Sequence, residues 1–155
     1  MTFALTAISV AIILGLAVVW AKRAKAEREL QEHSVMPATL YAWLESNREI
    51  LVLDVRQPLD LLAYPEIIPG ARRIPPNDVL EKPSLIPKDK DTVVYCTCPG
   101  DKTSRQVLRQ ARAMQLDRVK FLSGGLAGWK AMGYPVEPYR EVFNLYTGAI
   151  ASSAN

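Results

Sequence analysis

Histidine is almost absent: the 155 residues hold a single one, His33. Cysteine is scarce as well, with only Cys96 and Cys98, one residue apart. These two shortages remove several chemistries at once. A zinc site needs three or four nitrogen, sulfur or carboxylate ligands in one place, and this set does not supply them, so no metal is expected. Two cysteines this close do not make the disulfide framework of a small secreted protein. A reduced thiol site is the natural reading. A hydrolase built on a cysteine–histidine pair is disfavoured by the same count. A strong charge of one sign is lacking too, since nineteen Lys and Arg face sixteen Asp and Glu, for a net +3. No basic stripe interleaved with aromatics runs anywhere, so no nucleic-acid partner is expected. No internal repeat is visible.

What the chain does hold is apolar residues, 49% of it, unevenly spread. From Thr2 to Ala21 no residue is charged. Such a stretch, as a helix, is about 30 Å long, the hydrocarbon thickness of a bilayer. No Lys or Arg precedes it, and Lys22, Arg23, Lys25 and Arg28 follow at once. The pattern predicts an uncleaved single-pass anchor over residues 1–21, with Trp20 at the interface, the N-terminus outside and the remaining domain cytoplasmic. Residues 22–36, rich in helix formers and holding the Lys25/Glu29 pair, are expected to be a solvated helical stalk, with His33 an exposed linker residue. Residues 139–155, ending in Ala-Ile-Ala-Ser-Ser-Ala-Asn, are expected to fray.

Residues 37–138 carry the pattern of one α/β domain. Pro37 closes the stalk. A short amphipathic helix is expected over 38–46, and the apolar run Ile50–Asp54 reads as a buried parallel strand. A proline-rich loop follows over 65–76, then a short helix near Asp78–Glu81. Thr92–Tyr95 and Val119–Leu122 read as further strands. Residues 103–114 form the strongest helical pattern, with Val107, Leu108, Ala111 and Met114 on one face and Thr103 with Gln106 as a capping box. A last helix surrounds Trp129. Strands alternating with helices imply a mainly parallel sheet flanked by helices.

The chemistry lies in Val93-Val-Tyr-Cys-Thr-Cys-Pro-Gly-Asp-Lys-Thr-Ser104. Ligands of α/β sheets bind beyond the carboxyl ends of the strands. A cysteine there faces the positive end of a helix and loop N–H groups that curl around an anion. Both favour the thiolate, which is the nucleophile, with no histidine needed as base. Two cysteines in a polar loop of this kind are not both inert core residues.

Several strings now resemble the rhodanese (sulfurtransferase) family over about residues 35–138: Leu53-Asp-Val-Arg56, Ile68-Pro-Gly-Ala71, Val94-Tyr-Cys96, Leu122-Ser-Gly-Gly-Leu-Ala-Gly-Trp129 and Gly133-Tyr-Pro-Val136. The resemblance implies a five-stranded parallel sheet and a cysteine that takes a sulfane sulfur as a persulfide. It implies Cys96 as that nucleophile and Thr97, Cys98, Gly100, Asp101, Lys102 and Thr103 as the substrate-binding loop. Asp54, Arg56 and Ser104 would be its supports, with no cofactor. The partners implied are a small sulfur donor and a thiol or cyanide acceptor, besides the membrane and the membrane complex an anchored domain would join.

Departures from the pattern matter. Glu66-Ile67 stands where Gly-His is common, and the loop from Cys96 to Thr103 is longer than the usual one by one or two residues. Lys102 replaces an arginine, and Cys98 is additional. The spacing from Cys98 to Ser104 is the family's usual one, whereas Cys96 follows its strand as the family nucleophile does. A thiol two residues from a persulfide is also placed to attack it. Two other functions compete: an oxyanion enzyme using Cys96-x5-Lys102, disfavoured because lysine lacks arginine's planar grip, and a non-catalytic recruitment module.

Overall fold

The computed structural model describes residues 2–140, with the side chains of residues 2–11, 29 and 30 outside that description. The C-terminal residues 141–155, where fraying is expected, also lie outside it. Two compact units divide between Glu32 and His33.

The first unit is one helix, α1 (Thr2–Gln31). Apolar side chains such as Ile13, Leu16 and Trp20 are exposed along it. Among the described residues no helix is long and apolar enough to cross a membrane. The described apolar stretch, residues 12–21, is only about 15 Å long before the charges at Lys22 and Arg23 begin. The expected span over Thr2–Ala21 is therefore not supported by the described part of this helix. The expected stalk is helical but stops at Gln31, because the residues after it turn into a strand.

The second unit runs β1 (Ser34–Val35), α2 (Pro37–Glu45), β2 (Ile50–Asp54), α3 (Pro58–Ala63), β3 (Glu66–Ile67), β4 (Arg72–Arg73), α4 (Pro76–Glu81), β5 (Asp91–Tyr95), α5 (Lys102–Ala113), β6 (Val119–Leu122), α6 (Gly125–Ala131) and β7 (Glu137–Pro138). Five strands form one sheet in the order β1-β6-β5-β2-β4, every pair parallel. β3 and β7 make a separate antiparallel ribbon.

Burial explains the order. β2 and β5 hold the sheet centre as near-continuous apolar runs, Leu53 and Val94 being wholly buried, as strands covered on both faces require. Prolines start α2, α3 and α4 at the first helical turn, where the missing N–H costs nothing. α5 buries Val107, Leu108 and Ala111. Met114 falls just past its end and is half exposed, contrary to expectation. Trp129 of α6 is fully buried and donates its indole N–H to the Pro135 carbonyl at 2.7 Å. The ring of Tyr134 stacks on Tyr41 at 4.3 Å, and both lie against Trp129.

Candidate functional site: the cysteine loop

β5 ends at Tyr95, and the loop from Cys96 crosses the carboxyl edge of the sheet into α5. A single 3-10 turn, Pro99–Asp101, bends it, with Gly100 (φ 66°) and Asp101 (φ 56°) both left-handed. The expected capping box is absent. Thr103 already sits inside α5, the N-cap is Asp101, and no side chain caps the helix, because the extra loop residues shift its start to Lys102.

Thr103 serves the sulfurs instead. Its N–H donates to Cys98 Sγ at 3.2 Å, and its hydroxyl lies 3.3 Å from the same atom. The two thiols, both free, stand 2.7 Å apart, Sγ to Sγ. Cys96 is buried and Cys98 only partly so. Their electrostatics diverge accordingly. Burial, then the hydrogen bond to Cys98, pushes the Cys96 thiol from 9.0 up to about 11, against the hydroxyl and N–H of Ser104. Burial opposes the Cys98 thiolate as well, but hydrogen bonds from Cys96 and from the Thr103 side chain and N–H outweigh it and lower the pKa. The pair therefore gives up its first proton at Cys98, with the Cys96 S–H donating to the thiolate. First-turn groups of α5 face both sulfurs, the Ser104 N–H and hydroxyl at Cys96 and the Thr103 N–H at Cys98, and burial outweighs them at Cys96.

The remaining loop residues divide by role. Asp101 is buried, and its Oδ2 accepts the Gly124 N–H at 3.0 Å, tying the loop to the turn before α6. Burial raises its pKa, against Gly124 and Arg105. The Cys96 carbonyl accepts the Leu126 N–H at 3.0 Å. This contact requires glycine at Gly125 (φ 51°), where a β-carbon would stand 2.0 Å from that carbonyl oxygen. Lys102 is exposed on the first turn of α5, and Ser104 is buried. Thr97 is half-buried, with an inward hydroxyl lacking a hydrogen-bond partner. Beside it opens an apolar cavity of about 250 Å³ lined by Thr97, Tyr64, Leu126, Ala127 and Lys130.

Asp54 and Arg56 are brought to each other and not to the sulfurs. Both are fully buried, with Arg56 Nη2 2.5 Å from Asp54 Oδ2. Arg56 also donates to the carbonyls of Tyr64 at 2.7 Å and Glu66 at 2.8 Å. The Tyr95 hydroxyl donates to Asp54 Oδ2 at 3.1 Å and accepts the Ile68 N–H at 3.3 Å. Burial, then the Asp54 charge, drives the Tyr95 pKa far up, so the phenol stays protonated. This network braces the 64–68 segment and meets the site at Tyr95, the residue before Cys96, and at Tyr64, which lines the cavity beside Thr97. Sequence reasoning missed Tyr95, whose strand position hides a polar end, and the support given by Gly125. Among the described residues no group of His, Cys, Asp and Glu is arranged to hold a metal.

A family model described as "Rhodanese-like domain" matches residues 36–132. A protein named "Sulfurtransferase" from Allochromatium vinosum is 30% identical over 93 residues, covering 60% of this chain and 83% of that protein. The probable adenylyltransferase/sulfurtransferase MoeZ of Mycobacterium tuberculosis is 29% identical over 104 residues, covering 66% of this chain but 26% of that larger protein. Among solved structures, the Alr3790 protein from Anabaena superposes with a TM-score of 0.57 at 33% identity, covering 67% of this chain and 82% of that one.

Proposed function

The chain belongs to the rhodanese-like domain family, and from that premise we propose that it is a sulfurtransferase or sulfane-sulfur carrier whose persulfide forms in the Cys96–Cys98 loop. The observation carrying this reading is the thiol pair, 2.7 Å apart, with the first-turn N–H of α5 on Cys98. Cys98 is the attacking sulfur in this reading, supported by its greater exposure and by the Thr103 N–H on its sulfur, which favours the thiolate. With thiosulfate as donor, the Cys98 thiolate attacks the outer sulfur, the S–S bond to the sulfonate breaks, and sulfite leaves with the electron pair. A thiol or cyanide acceptor then takes the sulfur and returns the thiolate. Lys102, Gly100 and Thr97 line the approach, and the loop N–H groups hold the anion.

A second reading keeps the persulfide on Cys96, favoured by its place directly behind Val93-Val94-Tyr95 and by the Ser104 hydroxyl and N–H that face it. Mass spectrometry of the loop peptide after thiosulfate treatment separates the two. We expect a gain of one sulfur atom in Cys96→Ser and none in Cys98→Ser. The opposite result restores Cys96 as the carrier, and no gain in either variant sinks the sulfur-carrying function.

The same proposal places the domain at a membrane, on its cytoplasmic side. The uncharged run Thr2–Ala21, the basic cluster Lys22–Arg28 and the exposed apolar side chains of α1 support that placement. Membrane retention after carbonate extraction, with the domain shielded from protease added outside intact cells, is the expected result. Cleavage from outside overturns the orientation.

A further inference from the structure

The Cys96–Cys98 pair has more than a sulfur-carrying thiol needs. A carrier uses one thiol and an outside acceptor, whereas here a second thiol is held against the first. Cys96 is nearly inaccessible, at 1% exposure, and fixed by the Leu126 N–H on its carbonyl and by the packing at Gly125. Its sulfur stands 2.7 Å from Cys98 Sγ, the more exposed sulfur of the two. Its position suits an internal reaction.

We propose that Cys96 resolves a persulfide formed on Cys98, so that the protein releases sulfide and closes a Cys96–Cys98 disulfide. The proposal rests on the sulfur-carrying reading above and adds a second activity to it. In the first step Cys98 takes the sulfane sulfur and becomes Cys98–S–S⁻. In the second, Cys96 Sγ attacks Cys98 Sγ, the bond from Cys98 Sγ to the outer sulfur breaks, and the Cys96 proton passes to the departing sulfur. The products are the Cys96–Cys98 disulfide and HS⁻, so atoms and charge balance without a base. The sulfane sulfur is reduced by two electrons and the two cysteines are oxidised. An external dithiol then restores both thiols by exchange.

Burial of Cys96 suits this order. A protonated thiol next to an anionic persulfide brings its own proton for the leaving group, and a shielded resolving sulfur is not itself consumed by oxidants. In this proposal the roles are the reverse of those the sequence suggests: the inner cysteine resolves and the outer one attacks.

The test uses the full chain with thiosulfate alone, no acceptor added, in a single turnover. Wild type is expected to release about one equivalent of sulfide per chain, to lose two hydrogen masses, and to resist alkylation at both cysteines until a dithiol is added. Cys96→Ser is expected to hold the added sulfur and release none. Wild type that keeps the sulfur adduct until cyanide is supplied overturns this inference and leaves the sulfur-carrying function standing. Sulfide release that persists in Cys96→Ser also overturns it. Absence of adduct and of disulfide in every variant removes the underlying function, a result distinguishable from either of those.

Discussion

At the scale of single residues, the two sulfurs set opposite responses to pH. Cys98, with its pKa lowered, is expected to react with iodoacetamide at a pH where an ordinary thiol is still largely protonated, whereas Cys96 resists until the pH nears 11. Peptide mapping of alkylated protein across about pH 6–11, a range that brackets the ordinary thiol value of about 8.5, checks this; equal labelling of both sites at every pH overturns it. Stability follows the sign of the buried groups. The folded state holds Cys96 protonated more tightly than the unfolded chain does. Its contribution is therefore complete below 9.0 and lost as pH climbs to about 11. Tyr95, also raised, acts in the same direction above 10.0. Cys98 acts oppositely, its contribution growing as pH rises past its lowered value toward the unfolded one. Urea midpoints should accordingly fall above pH 9, and fall less steeply in Cys96→Ala.

Among elements, the buried Asp54–Arg56 pair holds the end of β2 to the 64–68 segment. Arg56→Leu leaves the Asp54 carboxylate in the interior without its bidentate partner and frees the carbonyls of Tyr64 and Glu66. Removing one partner of a buried pair costs about 3–5 kcal/mol. Chemical denaturation should show that loss, and an effect within about 0.5 kcal/mol would mean water replaces the guanidinium. The sequence made both residues visible but not what they hold. Asp54 is readable as a strand terminus, yet only the fold shows Arg56 paired with it and holding the 64–68 segment. Other elements were legible where one pattern ran long enough. Ile50–Asp54 and Val119–Leu122 stand where the apolar runs put them, because buried strands advertise themselves in composition. β1, β3, β4 and β7 were missed, since each is two residues long and has no period to read. The start of α5 was misplaced for a different reason. Thr103 and Gln106 match a capping box in spacing, but the left-handed pair Gly100–Asp101 already turns the chain, and Thr103 is occupied with Cys98. The proximity of Cys96 to Cys98 was legible as chain distance, and their unequal burial was not.

For the whole molecule, the division after Glu32 makes a cut there informative. A chain beginning at Glu32 retains His33, whose carbonyl accepts the Phe121 N–H at 3.0 Å, and all of β1. It is expected to be released from membranes and to take up sulfur at the same rate as the full chain. A chain beginning at Met36 lacks β1, exposes the edge of β6, and should lose stability by about 1–3 kcal/mol, read from its urea midpoint. Equal midpoints for the two chains would mean β1 adds nothing to the sheet.

The strand order also sets a timetable for synthesis. β1 leaves the ribosome first among the strands, yet its one partner in the sheet, β6, is nearly the last to appear. The same is true of the sulfur loop, whose two tethers, Gly124 and Leu126, are made more than twenty residues after it. Until those residues emerge, the nascent chain carries two thiols on an unbraced loop and an open sheet. Bringing such distant partners together is the slow part of folding. A polypeptide interrupted before Leu126 would lack the N–H that holds the Cys96 carbonyl and the Trp129 side chain that the core is packed around.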